Sequence, residues 1–182
     1  MNFLASKAQL RASFLRWSLF LVPLIVLIGF LSGQLGGPDT LWFQSLKKPA
    51  IFPPPAAFGI VWGLLFTLIG FALALVVSAW GAYGRIAALG AFIVHFPITL
   101  AWTPVFFGMQ NMVGGLIVLG LAIATLLIVL VTFWRVRPAA SLMLVPYLGW
   151  VCFATVLNYQ FWVENPDGGV QNGAGAAVEV TL

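Results

Sequence analysis

The groups able to do chemistry in this 182-residue chain are few and sit in apolar surroundings. The single histidine, His95, precedes Thr99 by four residues and Trp102 by seven, so a helix carrying them puts all three on one face. They lead into Ala101-Trp102-Thr103-Pro104-Val105-Phe106-Phe107-Gly108-Met109, which joins an indole, a hydroxyl, a helix-bending proline, two phenyl rings and a glycine. Tyr147, Trp150, Ala154 and Asn158 fall on one helical face further along. Upstream, Trp62 lies among Gly59, Gly63, Phe66 and Gly70 at three- and four-residue spacings. Rigid aromatic surfaces with a few hydroxyl and amide groups suit the wall of a binding cavity for an apolar ligand. The same residues offer no carboxylate pair, no nucleophile beside a base and no Gly-rich phosphate loop. No second His, acid or thiol is spaced to complete a metal site with His95. An ionisable side chain in an apolar segment is a functional candidate. For His95 the competing reading is structural, with the ring bonded to a carbonyl freed by Pro97 or Pro104.

The elements that must hold these residues follow from composition. The chain is 62% hydrophobic and 7% charged, with mean hydropathy +1.08, whereas soluble domains are about a quarter charged. It reads as an all-α integral membrane protein. Stretches free of Asp, Glu, Lys and Arg run over Trp17 to Pro38, Pro49 to Gly84, Ile86 to Trp134 and Pro138 to Val163. A spanning helix needs about 20 apolar residues, so the third stretch holds two and the others one each. The expected spans are 17–35, 58–82, 86–107, 112–133 and 139–162, a five-helix bundle. A β-barrel would alternate over segments of about 10 residues, and the continuous apolar run from Gly120 to Val131 does not.

Residues 1–16 form a basic lead with Lys7, Arg11 and Arg16, read as a topological anchor or a helix on the membrane surface. Gly29 and Gly33 in the first span permit close helix approach, and Gly36-Gly37-Pro38-Asp39 makes a turn. The connection 39–57 is amphipathic and Pro-rich, with Asp39 or Thr40 as a candidate cap for a short helix. It suits either a lid over the bundle mouth or an interfacial linker. In the third span, Ala87 and Ala91 have the small-residue spacing that supports helix dimerisation. Phe106, Phe107 and Gly108 fall at that span's end, where they set the next turn, so Trp102, Thr99 and His95 become its cavity residues, facing Trp62 and Trp150. Cys152, the lone cysteine, is expected in the core. The segment 164–182 reads as a flexible tail.

The eight basic residues flank the spans instead of forming a nucleic-acid surface. The lead, the Arg85 turn and the Arg135/Arg137 turn hold six of them without an acid. By the positive-inside rule, the N-terminus is cytoplasmic and the C-terminus outside if the protein sits in an inner membrane.

Several segments resemble one family. Leu46-Lys47-Lys48-Pro49, Pro53-Pro54, Val61-Trp62-Gly63, Trp102 to Gly108, Val145-Pro146-Tyr147-Leu148-Gly149-Trp150 and Ala154-Thr155-Val156-Leu157-Asn158-Tyr159 are similar to motifs of the tryptophan-rich sensory protein/translocator protein family. The resemblance covers about residues 20 to 165. It implies a five-helix bundle, often a homodimer in the lipid bilayer, with a pocket beneath the first connection. Porphyrins and haem-related tetrapyrroles are the implied ligands, with benzodiazepine- or isoquinoline-type drugs beside them. No cofactor is required on this reading. By motif position, Trp62, Trp102 and Trp150 match the family's tryptophans, and Ala154, Leu157 and Asn158 match the pocket side of its last helix. The resemblance leaves three activities open, namely a binding or sensory protein, light-dependent porphyrin degradation, and transport.

The chain departs from the family pattern in places. Thr99 stands where asparagine is common and His95 where glutamine is frequent, which alters the polar lining. Ala50 and Ile51 replace common aromatics in the first connection. Tyr159 is followed by Gln160 to Glu164 without the basic residue of the proposed cholesterol motif, so no specific sterol requirement is expected. Lys47 or Lys48 is the expected partner of a ligand carboxylate, with hydrated ammonium groups. His95 is a candidate ligand for a haem iron, although most of the expected affinity needs no metal bond.

Overall fold

The computed structural model describes residues 7–168. Its elements are α1 (Lys7–Gly33), α2 (Leu41–Ser45), α3 (Pro55–Val77), α4 (Arg85–Thr103), a π-helical turn (Pro104–Gly108), α5 (Met112–Val136), α6 (Pro138–Met143) and α7 (Val145–Glu164). Five stretches among the described residues are long and apolar enough to cross a bilayer: Ala8–Gly33, Pro55–Val77, Arg85–Gly108, Met112–Val136 and Pro138–Glu164. The fold is therefore the all-helical five-span bundle that the charge-free stretches demand.

The boundaries differ from the sequence reading for local reasons. Residues 7–16 continue directly into the first span as one helix, and residues 1–6 lie outside the described part. The second span stops at Val77, where Ser78 caps it and the chain turns through Gly81 and Gly84, whose φ values of 74° and 80° favour glycine. Arg85 closes that end by donating from Nε to the carbonyls of Val76 and Val77 at 3.3 and 3.1 Å, with its guanidinium 4.2 Å from the Trp80 ring. A cation satisfying the last carbonyls is a standard helix stop. The fifth span breaks at Leu144 into α6 and α7, because Pro146 has no N–H to continue the ladder. Of the tail, residues 169–182 lie outside the described part.

The helices form a closed ring. α1 packs along α3, α3 on α6, α7 and α6 on α5, and α5 on α4, which returns to α1 and α3. Glycine sets the closest approach. A Cβ at Gly70 would stand 2.7 Å from the Val22 Cα, and one at Gly29 would enter the Phe66 ring at 2.3 Å. Ile69, Ala72, Val76, Ala88, Leu126, Val129, Phe133 and Tyr147 fill the ring at the end remote from the first connection. A second cluster of Trp42, Phe43, Leu46, Phe106, Met112, Leu157 and Phe161 fills the opposite end. Between them the packing is open.

Large apolar side chains cover the outer surface, among them Leu19, Phe20, Ile60, Leu64, Ile93, Leu127 and Val156. Such continuous apolar exposure is untenable in water and matches a hydrocarbon solvent. Cys152 lies on this outer surface, not in the core; its position on α7 is two residues out of phase with buried Ala154.

Candidate functional site

Where the packing opens, the bundle forms a partly open cavity of about 330 Å³ beneath the first connection. The ends of four spans and the connection wall it. α3 contributes Phe58, Gly59, Trp62, Gly63 and Phe66; α4 and the π-helical turn contribute Thr99, Leu100, Trp102, Thr103, Phe106 and Phe107. α7 adds Ala154, Leu157, Asn158 and Phe161, and α1 adds Gly29, Ser32 and Gly33. Apolar and aromatic lining with few polar groups is the usual character of a small-molecule site.

Pro104, which opens the π-helical turn after α4, shapes the wall. Pro104 cannot donate to the Leu100 carbonyl, and Ser32 of α1 supplies the missing bond from Oγ at 3.0 Å. Beyond Pro104 the backbone widens, with the Met109 N–H bonded to the Pro104 carbonyl at 2.8 Å. That single π-helical turn rotates both Phe106 and Phe107 into the cavity. A Cβ at Gly36 would lie 2.6 Å from the Phe107 Cβ, so the turn after α1 docks there only because Gly36 has no side chain.

Trp102 is fixed rather than loosely packed. Its Nε1–H donates to Asn158 Oδ1 at 3.1 Å, while Asn158 Nδ2 donates to the Met112 carbonyl at 2.9 Å. The amide orientation follows, because an indole can only donate and a carbonyl can only accept. Gly115 makes room, since a Cβ there would stand 2.5 Å from Asn158 Oδ1. The Trp102 ring stacks on Phe106 at 5.2 Å and 20°.

The connection is a structured cap over this cavity. Thr40 receives the Phe43 N–H at 3.3 Å and so starts α2. Phe43 then plugs the mouth, 5.1 Å from Phe107, 5.3 Å from Phe161 and 5.7 Å from Phe52 between ring centroids. Asn165, just past α7, latches the cap: its Oδ1 accepts from the Lys47 N–H at 2.8 Å and its Nδ2 donates to the Lys47 carbonyl at 3.1 Å. The Trp42 indole donates to the Gly168 carbonyl at 3.0 Å.

Of the residues expected from sequence, Trp62, Thr99, Trp102, Ala154, Leu157 and Asn158 meet at the cavity. Trp150 and His95 do not line it. Trp150 stands behind the wall, edge-on to Phe58 at 5.8 Å and to Trp62 at 6.5 Å. Its Nε1 is buried without a hydrogen-bond partner among the described residues. His95 points deeper, with Nδ1 2.8 Å from Thr125 Oγ1 and Nε2 3.0 Å from the Tyr147 hydroxyl. Its partners are hydroxyls, not the carbonyls freed by proline, and both nitrogens are occupied, so it is not poised to ligate iron in the cavity. Lys48 also differs from expectation. Its ammonium turns inward to the carbonyls of Phe43 and Leu46 and lies 4.2 Å from the Phe43 ring. Burial holds its pKa below the usual lysine value. Lys47, with a side chain 74% exposed and 3.9 Å from Glu164, remains the accessible cation at the rim.

The sequence reading placed Phe66 on the same aromatic side as Trp62, missed Phe43, Phe52, Phe58 and Phe161 as cavity residues, and set Phe106 and Phe107 aside as turn residues. Phenylalanine is so common here, 16 of 182 residues, that no single one stands out. The signal for Phe106 and Phe107 was Pro104, whose missing donor permits the wider turn.

Comparison with known proteins agrees with this architecture. Residues 20–163 match the TspO/MBR family. The chain is 37% identical to protein CrtK of Rhodobacter capsulatus over 137 residues, covering 74% of this chain and 84% of CrtK. It is 36% identical to the human translocator protein over 135 residues, 71% of this chain and 78% of that one. Against the tryptophan-rich protein TspO of Chlorobaculum tepidum it is 34% identical over 147 residues, 80% of this chain and 93% of the relative. With five spans, a capped aromatic cavity and this extent of identity, the chain belongs to the TspO/MBR family.

Proposed function

We propose that this protein is a membrane receptor for flat, apolar tetrapyrroles, which bind in the cavity between α3, α4 and α7. The observation that carries the reading is the convergence of Trp62, Trp102, Phe106 and Phe107 on one space with Thr99 and Asn158 among its few polar groups. Indole and phenyl faces bury the macrocycle, and the few polar atoms orient it. At about 330 Å³ the partly open cavity is near the lower bound of about 300 Å³ for such sites. A macrocycle with substituents therefore needs the cap raised, which Asn165 and Trp42 oppose through only a few polar bonds. Ligand carboxylates then reach Lys47 at the rim. The reading includes a cytoplasmic N-terminus, from the Lys and Arg excess at that end, and assembly as a homodimer.

Titration of purified protein with protoporphyrin, followed by tryptophan quenching, tests the binding. Saturable quenching that weakens in Trp62→Phe and Trp102→Phe is the expected result. Identical affinity in both variants overturns the assignment.

A further inference from the structure

Behind the cavity wall His95 and Tyr147, which do not line the ligand space, join Thr99, which does, in a polar cluster. His95 and Tyr147 are 2% and 1% exposed, in otherwise apolar packing. Thr125 Oγ1 lies 2.8 Å from the Leu121 carbonyl and 3.2 Å from the Ala122 carbonyl in its own helix; donating to them, it accepts from His95 Nδ1. In that tautomer the proton of the neutral ring is on Nδ1, and Nε2 is an acceptor. Nε2, the Tyr147 hydroxyl and Thr99 Oγ1 form a triangle of 3.0, 2.6 and 3.3 Å. Two hydroxyl protons serve its three edges. Whichever way they circulate, the phenol has a path to one base, His95 Nε2.

The phenol also faces the cavity wall. The Tyr147 ring is 6.3 Å from Trp62 between centroids, and Trp62 lines the ligand space. A phenol that loses an electron becomes a strong acid, and in a dry interior it must hand its proton to a neighbour. Here that neighbour is in hydrogen-bond contact.

We propose that Tyr147 and His95 form a proton-coupled redox pair that reduces an oxidised Trp62. The natural oxidant rests on the tetrapyrrole-binding reading above: a photo-excited tetrapyrrole in the cavity. The excited macrocycle takes one electron from Trp62, giving a tetrapyrrole radical anion and an indole radical cation. Tyr147 gives one electron to Trp62 and its phenolic proton to His95 Nε2. The O–H bond breaks and an N–H bond forms, leaving neutral Trp62, a neutral tyrosyl radical and an imidazolium. The positive charge moves from indole to imidazole, so no new charge is created in the apolar interior. Thr99 is a positioning residue that holds the phenol oxygen from the cavity side.

The test needs an oxidant independent of the cavity, and the chain provides one attachment point. Cys152 is its single cysteine, exposed, and five residues from Tyr147 on α7. A ruthenium polypyridyl photo-oxidant attached there, with a sacrificial electron acceptor in solution, generates the hole by flash-quench, and electron paramagnetic resonance reads the radical. The expected result is a neutral tyrosyl signal that survives the double variant Tyr83→Phe/Tyr159→Phe, whose residues are exposed, and disappears in Tyr147→Phe. His95→Gln lowers its yield at least tenfold. Absence of the signal in the double variant overturns the proposal without disturbing the core, as does an unchanged yield in His95→Gln. A parallel sample with protoporphyrin, first assayed by quenching, separates the two readings. Failure to bind rejects the cavity reading while the flash-quench arm still decides the redox pair. Binding without a light-dependent tyrosyl signal rejects Trp62 as the link.

Discussion

Gly63→Leu separates ligand binding from folding, because the cavity has free space at that position. Gly63 lines the cavity, and a Cβ built on it meets no atom within 4 Å. Leucine adds four carbon atoms; at about 30 Å³ each, the share of a water molecule, they occupy on the order of 100 Å³. That is nearly a third of the 330 Å³ available. Excluding a ligand from that fraction removes on the order of 100 Å² of apolar contact, worth about 2.5 kcal/mol at 25 cal/mol/Å². The expected loss is roughly 50- to 100-fold in Kd. The fold does not suffer, since replacing a helical glycine by leucine improves helix propensity by up to about 0.8 kcal/mol. The assay is the protoporphyrin quenching titration in detergent micelles, paired with thermal unfolding of the same sample. An unchanged Kd with unchanged Tm refutes the placement of the ligand, and a Tm lowered by several degrees refutes the claim that the space is open.

Other substitutions probe the wall and its cap. In a double-mutant cycle on stability, Asn158→Leu and Trp102→Phe couple by about 0.6 kcal/mol, the average for interhelical hydrogen bonds in membranes, and by no more than about 1.7 kcal/mol, the maximum; additive effects would show that the 3.1 Å bond contributes nothing. Asn165→Ala removes both bonds to Lys47, speeds ligand dissociation several-fold in stopped-flow displacement and lowers Tm by only a few degrees, since solvent-exposed bonds fall at the lower end of about 0.5–1.5 kcal/mol each. Ser32→Ala orphans the Leu100 carbonyl beside Pro104 and destabilises by about 1–3 kcal/mol in denaturation of the detergent-solubilised protein. Gly70→Val places a Cβ 2.7 Å from the Val22 backbone and separates α1 from α3, which limited proteolysis of the first connection detects.

The five spans were legible because bilayer thickness acts on composition alone: charge-free length counts helices without knowledge of any contact. Helix ends were less so. Val77 ends α3 because Arg85 reaches back to its carbonyls, a contact across the turn that local patterning does not encode. Trp62, Trp102 and Asn158 were legible at the site because rare polar and indole groups stand out in an apolar chain. His95 and Thr99 share a face with Trp102 by spacing, yet the same face points at the cavity at Thr99 and into the core at His95. A helical face runs along the bundle, and only tertiary packing determines where the open space stops. Lys48 shows the same limit: its charge was visible, but its folding back onto the carbonyls of Phe43 and Leu46 depends on the shape of the cap.

The location of the ligand can be read directly by photo-crosslinking. A tetrapyrrole carrying a diazirine, irradiated in complex with the protein and mapped by peptide mass spectrometry, reports the residues it touches. The account predicts adducts on cavity residues of α3, α4 and α7, with Trp62, Trp102 and Leu157 among them, and their loss on competition with unlabelled protoporphyrin. Adducts confined to lipid-facing residues such as Phe20, Ile93 or Leu127, indifferent to competitor, would contradict it.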